Sequence, residues 1–145
     1  MLKRVGKSFF IITNKMKRYL DKELQPLNIT ANQSRILRYL YRNKDKIINQ
    51  NKLVEEFQIR GASVTGLLDK LISQKLIKRT QDINDKRKKI LSLTKEGEEI
   101  ALKSFESTDK FEEIINTVIT TNEKEDLFRI LTKIEEMLDE KEKTQ

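Results

Sequence analysis

A mainly α-helical chain carrying one small antiparallel β-hairpin is the fold class the sequence predicts, and three observations predict it. Val64, Leu67, Leu68 and Leu71 fall at i, i+3, i+4 and i+7, the spacing of one buried helical face. Directly after them, Leu76-Ile77-Lys78-Arg79 and Ile90-Leu91-Ser92-Leu93 read as two short strands joined by the polar, basic loop Asp82 to Lys89. Both ends of the chain carry narrow apolar seams of helical period.

The first helix is expected over the seam Val5, Phe9, Ile12, Met16 and Tyr19, which steps by 4, 3, 4 and 3 and wants a partner helix; Phe10 and Leu20 widen it. Pro26, the single proline, ends this region, because the residue before a proline resists the helical conformation. Thr30-Ala31-Asn32-Gln33 fits a capping box, so a second helix starts there with Ile36, Leu37, Leu40 and Tyr41 on one face. Lys44-Asp45-Lys46 closes it, and Ile47-Ile48 is a candidate short strand. Asn49 suits the N-cap of a third helix through Leu53, Val54 and Phe57, ending near Gln58. A tight turn and a fourth helix, started by Arg60-Gly61-Ala62, complete a helix-turn-helix.

After the hairpin, Thr94 is placed to cap a long helix from about Lys95 toward Ile119, with Glu96 in its first turn. Ile100, Phe105, Phe111, Ile114, Ile115 and Val118 are expected to form its buried stripe. Asn122 and Glu125 suggest a second capping box, opening a last helix with a seam at Leu127, Leu131, Ile134 and Leu138 and a frayed end over 140–145.

Composition bounds the function. The 145 residues hold no Cys, which excludes a disulfide framework, a thiolate metal site and sensing by thiol oxidation. They hold no His, which removes the usual imidazole base, zinc ligand and pH sensor. No apolar run approaches membrane-spanning length, and the apolar stretch near the start, Phe9 to Ile12, is too short for a signal peptide; a cytoplasmic protein is expected. The net charge of +7 is unevenly spread. Residues 1–50 carry 12 Lys+Arg against 3 Asp+Glu, residues 51–93 carry 10 against 5, and residues 94–145 carry 8 against 15. The basic first 93 residues therefore suit a polyanion, and the acidic remainder does not.

A helix with small polar residues on its exposed first turn, followed by a basic-tipped hairpin, suits a DNA duplex: the helix enters the major groove and the hairpin reaches toward the minor groove. Asp85-x-Arg87-x5-Leu93-Thr94 resembles the wing signature of the MarR family of winged-helix transcription factors, and Ser63-Val64-Thr65-x-Leu67-Leu68-x-Lys70-Leu71 is similar to its recognition helix. The resemblance covers nearly the whole chain; Lys75 departs from it, standing where the family commonly has Gly. It implies a winged helix-turn-helix lobe over residues 29–94 and a helical dimerisation region over 1–28 and 95–145. The unpartnered seams point independently to a homodimer, in which the first, fifth and sixth helices intertwine and two lobes read the half-sites of a pseudo-palindrome.

Contact residues follow by role. Ser63 and Thr65 are short polar groups for base edges or phosphates, with helix capping as the plainer reading. Gly61, Ala62 and the outward-facing Lys70 share that surface, and Arg60 is a candidate for a bidentate guanine contact or a phosphate. Arg87 is the expected minor-groove residue, with Asp85 bracing its guanidinium or capping the loop turn. Lys86, Lys88, Lys89 and Arg79 are expected on phosphates. Phe10, Thr13, Tyr39 and Phe105 are candidates to line an effector pocket, though a plain core explains them as well.

Enzymatic readings fare poorly. Gly61-x4-Gly66 has the glycine spacing of a phosphate-binding loop, but Leu67-Leu68 replaces the essential Lys-Ser/Thr. Glu98-Glu99, Glu112-Glu113 and Glu135-Glu136 lie on helix surfaces without convergent partners. No catalysis, cofactor or metal is expected. Two functions remain: a homodimeric repressor released from its operator by a small molecule, or an effector-independent architectural regulator of the SarA-like kind.

Overall fold

In the computed structural model, which describes residues 3–145, Pro26 sits in a single 3₁₀ turn (Gln25–Leu27) that ends the first helix, α1 (Val5–Leu24). Asn28 then takes a left-handed conformation at φ 58° and turns the chain into α2 (Ala31–Arg42). The Thr30 capping box is complete: Thr30 Oγ1 accepts from the Gln33 N–H, and the Gln33 side chain accepts from the Thr30 N–H. α3 (Gln50–Phe57) is capped by Asn49, which accepts from the Lys52 N–H at 3.0 Å. Gln58 at φ 52° makes the tight turn into α4 (Gly61–Ser73).

β1 (Ile77–Gln81) and β2 (Lys89–Leu93) pair antiparallel, from Ile77 opposite Leu93 to Gln81 opposite Lys89. The strand expected at Ile47-Ile48 is one bridge, with Leu91 N–H donating to the Ile48 carbonyl at 2.8 Å. Leu76 lies outside β1. Its N–H donates to the Leu71 carbonyl and the Lys75 N–H to that of Ile72, the two bonds of a Schellman close on α4. Lys75 itself has φ 61° in that motif, where glycine fits without strain.

α5 (Lys95–Val118) and α6 (Thr121–Thr144) complete the chain. Thr94 caps α5, accepting from the Gly97 N–H at 2.9 Å while donating its own proton to the Lys75 carbonyl at 2.8 Å. The buried face of α5 is Gly97, Ala101 and Ser104, not the expected stripe of large residues: Ile114 and Val118 are exposed, Phe105, Phe111 and Ile115 are half-buried, and Ile100 is half-buried against the core. The physical reason is close approach. A β-carbon on Gly97 would run into the Leu76 carbonyl oxygen, so only glycine fits at that position. The capping box of α6 is Thr120 with Glu123, two residues before the expected Asn122 and Glu125. The earlier start adds helix while satisfying the same orphan groups. The last residues are helical to Thr144 rather than frayed.

The apolar core joins Ile36, Leu37 and Leu40 of α2 with Leu53, Val64, Leu68, Leu71 and Leu91, and takes in Leu24 and Ala101 from the flanking helices. Leu67 of the expected α4 face is half-buried at its edge. One compact unit ends at Thr108 and a second is Asp109–Gln145. Within the second unit α6 buries none of its residues, and Leu127, Phe128 and Leu138 are exposed. Within the first, α1 exposes Val5, Phe10 and Ile12. Among the described residues no helix is long and apolar enough to cross a membrane.

Candidate nucleic-acid interface

Burial of Val64, Leu68 and Leu71 rolls α4 so that Gly61, Ala62, Ser63, Thr65, Gly66, Asp69 and Lys70 are exposed. Gly61 and Gly66 face open space, and an added β-carbon would touch nothing there. Both are therefore unneeded for packing within the chain, in contrast to Gly97. Arg60 is the N-cap and offers no side-chain cap bond. Neither Ser63 nor Thr65 occupies the capping position, so helix capping does not account for them. The Thr65 hydroxyl donates to the Gly61 carbonyl at 3.0 Å and accepts from Gln50 Nε2 at 2.6 Å.

The wing loop is shaped by its two aspartates. Asp82 accepts from the Asn84 N–H, and its own N–H donates to the Lys88 carbonyl. Asp85 accepts from both the Arg87 N–H at 3.0 Å and Arg87 Nε at 3.2 Å. The two expected roles of Asp85, bracing the guanidinium and capping the turn, are thus performed by one oxygen. These bonds from the Arg87 side chain and backbone, with the nearby Lys88 charge, hold the Asp85 carboxyl below the usual carboxylate range. Arg87 is 92% exposed in its side chain, and Lys86, Lys88 and Lys89 are exposed beside it. Arg79 of β1 pairs with Asp69 of α4 at 3.6 Å, tying the hairpin to the helix.

Helix and wing share a cleft of about 400 Å³. Thr65, Arg79, Arg87, Lys88 and Lys89 line it, so five of the polar residues expected from sequence are brought together. The N-terminal residues of α3, Asn49, Gln50 and Asn51, line it as well. Sequence reasoning assigned Asn49 only a capping role and gave Gln50 and Asn51 none. Their one signal was position: the first turn of the helix that precedes a recognition helix. Arg60, Gly61, Ala62 and Ser63 lie on the first turn of α4, outside the cleft lining. Lys70 instead lines a second cleft, of about 250 Å³, with Asp21, Gln33 and Gln74.

The four effector-pocket candidates do not converge in these two clefts. Phe10 and Thr13 are exposed on α1. Tyr39 packs edge-on against Phe57 at 5.6 Å; burial, with the charges of Glu56 and Glu55, raises its phenol pKa. Phe105 packs edge-on against Tyr41, with the Arg42 guanidinium 4.8 Å over its ring. Tyr39 and Phe105 are accounted for as aromatic packing around the core.

Comparison with known proteins agrees with this geometry. A family model described as "MarR family" matches residues 27–88. The HTH-type transcriptional regulator FarR of Neisseria gonorrhoeae is 33% identical over 118 residues, 79% of this chain and 80% of FarR. The HTH-type transcriptional repressor YetL of Bacillus subtilis is 30% identical over 90 residues, 62% of this chain but only 54% of the length of YetL. The structure resembles Staphylococcus aureus MepR in its DNA complex, with a TM-score of 0.90 at 29% identity over 94% of this chain and 99% of MepR. It also resembles a mutant of Escherichia coli MarR complexed with operator DNA, with a TM-score of 0.80 at 25% identity over 90% of this chain and 92% of that one. With the wing signature, the α3–α4 pair and these matches in place, the chain belongs to the MarR family of winged helix-turn-helix transcriptional regulators.

Proposed function

We propose that this chain acts as a homodimeric repressor: residues 29–94 read one half-site of a pseudo-palindromic operator, and residues 1–28 and 95–145 hold two copies together. The observation that carries the reading is the shared cleft, where the exposed face of α4 meets a wing whose Arg87 is held in place by Asp85. A braced guanidinium on an exposed hairpin suits the narrow, electronegative minor groove, and the lysines around it suit phosphates. The first turn of α4, built of Gly61, Ala62 and Ser63, lets a duplex approach the helix backbone. Binding, not catalysis, is the activity this surface supports. The dimer is supported by α6, which buries none of its residues although it carries a full apolar seam.

The test is titration of the full-length protein on an operator duplex and on a random duplex at several salt concentrations. Arg87→Ala should weaken binding to both, lower the salt dependence and relax preference at A/T positions flanking the site. Thr65→Ala should cost ~1–3 kcal/mol on the operator and much less on random DNA. If Thr65→Ala weakens both duplexes equally while Arg87→Ala changes neither, the assignment of reading to the helix and anchoring to the wing is wrong.

A second reading, regulation without an effector, is favoured by the packing of Tyr39 against Phe57 and of Phe105 against Tyr41, which accounts for two of the four pocket candidates. Thermal-shift measurements on the pure protein with small apolar anions and cationic drugs separate the two. Ligand-dependent stabilisation supports effector release, and its absence supports the second reading.

A further inference from the structure

Gln50 is the first residue of α3, yet its side chain reaches the first turn of α4. Its Nε2 donates to the Thr65 hydroxyl at 2.6 Å and lies 3.3 Å from the Gly61 carbonyl oxygen. That carbonyl can only accept, so the amide group facing it is the nitrogen, which fixes the orientation of the side chain. The Thr65 hydroxyl gives its single proton to the same carbonyl. The Thr65 proton and the Gln50 amide nitrogen are thereby directed inward, at the Gly61 carbonyl and at Thr65 Oγ1. What the pair still offers is Gln50 Oε1 and a lone pair on Thr65 Oγ1, and both are acceptors.

An acceptor-only unit has no proton to share with a phosphate oxygen, so it cannot make the contacts that Arg79, Arg87 and Lys88 can make along the same cleft. It is matched by donors. On the base edges of the major groove the donors are the exocyclic amines, adenine N6 and cytosine N4. We propose that Gln50 and Thr65 work as one acceptor unit that selects an operator base presenting such an amine. Gln50, from outside the recognition helix, is then a specificity-determining residue. Every base pair carries one such amine, so the unit reads which strand holds it. The inference rests on the DNA-binding reading above.

The test uses the full-length protein and a duplex it selects from a random pool. Each adenine of that duplex is replaced in turn by purine, and each cytosine by 2-pyrimidinone, which delete the amine and keep the ring. For the wild type, deletion at one position per half-site should weaken binding about tenfold. Gln50→Leu and Thr65→Val should bind the parent duplex less well and be indifferent to amine deletion at that position. Thr65→Ser, which keeps the oxygen, should stay sensitive, and unchanged melting temperatures would show that the fold is intact. Two outcomes overturn the proposal: a wild type indifferent to every amine deletion, or Gln50→Leu as sensitive as the wild type. Failure to select any duplex would instead overturn the DNA-binding reading itself.

Discussion

Lys75 and Gly97 stand in opposite relation to their backbones: Lys75 fills a position that suits glycine, and Gly97 is the glycine its position needs. Lys75 occupies the left-handed position of a Schellman motif at φ 61°, which strains a side-chain-bearing residue by about 1 kcal/mol. Lys75→Gly should therefore stabilise the protein by about 1 kcal/mol, a rise of roughly 2–4 °C in melting temperature by calorimetry. Gly97 has the opposite sign. Its absent β-carbon lets the Leu76 carbonyl sit against α5, and a backbone atom cannot rotate aside. Gly97→Ala should cost about 1–3 kcal/mol or more, since the start of β1 must shift to admit a methyl group. An unchanged melting temperature in Gly97→Ala would mean that α5 does not approach Leu76 so closely in solution. Asp85 gives a third residue-level expectation. Its folded pKa is depressed, so its bonds to Arg87 are intact above the usual carboxylate range and are lost as the pH falls through the lowered value. With no His in the chain, DNA affinity at fixed salt should be flat between about pH 5 and 8. Asp85→Asn should mimic acid at neutral pH and relax the A/T preference proposed for Arg87.

Among the elements, α6 offers the sharpest check on how its start is chosen. The sequence Thr120-Thr121-Asn122-Glu123-Lys124-Glu125 contains two overlapping capping signals, and the structure uses the earlier one. Thr120→Ala should destabilise α6 by about 1 kcal/mol, while Asn122→Ala should be near neutral. Circular dichroism melts of both variants decide it, and a larger loss from Asn122→Ala would move the helix start by two residues. The wing and α4 form a second pair of elements, joined in part by the Arg79–Asp69 ion pair. Arg79 and Asp69 are exposed enough that their ion pair contributes little to folding. Its effect belongs to orientation: Asp69→Ala should leave the melting temperature unchanged and weaken binding, because Arg79 is then no longer held in position for a phosphate.

For the molecule as a whole, charge and apolar exposure divide the work. With Arg79, Lys86, Lys88 and Lys89 on phosphates, as proposed, each lobe makes four such contacts. A dimer neutralising eight phosphates should show a log–log salt slope of about −7. Ile12→Glu and Leu138→Glu place charge on exposed positions of α1 and α6, where the folded chain has no packing to lose. Each should yield a monomer by sedimentation equilibrium, with about half the salt slope and greatly weakened operator binding. A charged variant that stays dimeric would remove those faces from the interface.

The sequence alone determined what depends on neighbours along the chain. Capping residues Thr30, Asn49 and Thr94, the break at Pro26, the i, i+3, i+4, i+7 face of α4 and the Asp85–Arg87 turn are each set by interactions a few residues apart, and each was legible. The tertiary structure decided what depends on elements meeting in space. Size and hydrophobicity singled out Phe111, Ile114 and Val118 as the buried stripe of α5, but its buried residues are Gly97, Ala101 and Ser104, and at Gly97 a β-carbon would meet the Leu76 backbone. In sequence, Thr65 is a short polar group suited to base edges, phosphates or a helix cap. Gln50, fifteen residues earlier, and the Gly61 carbonyl take its hydrogen bonds once α3 and α4 fold together. Hydrogen-bond capacity is spent across the turn between helices, and no pattern along the chain records where it goes.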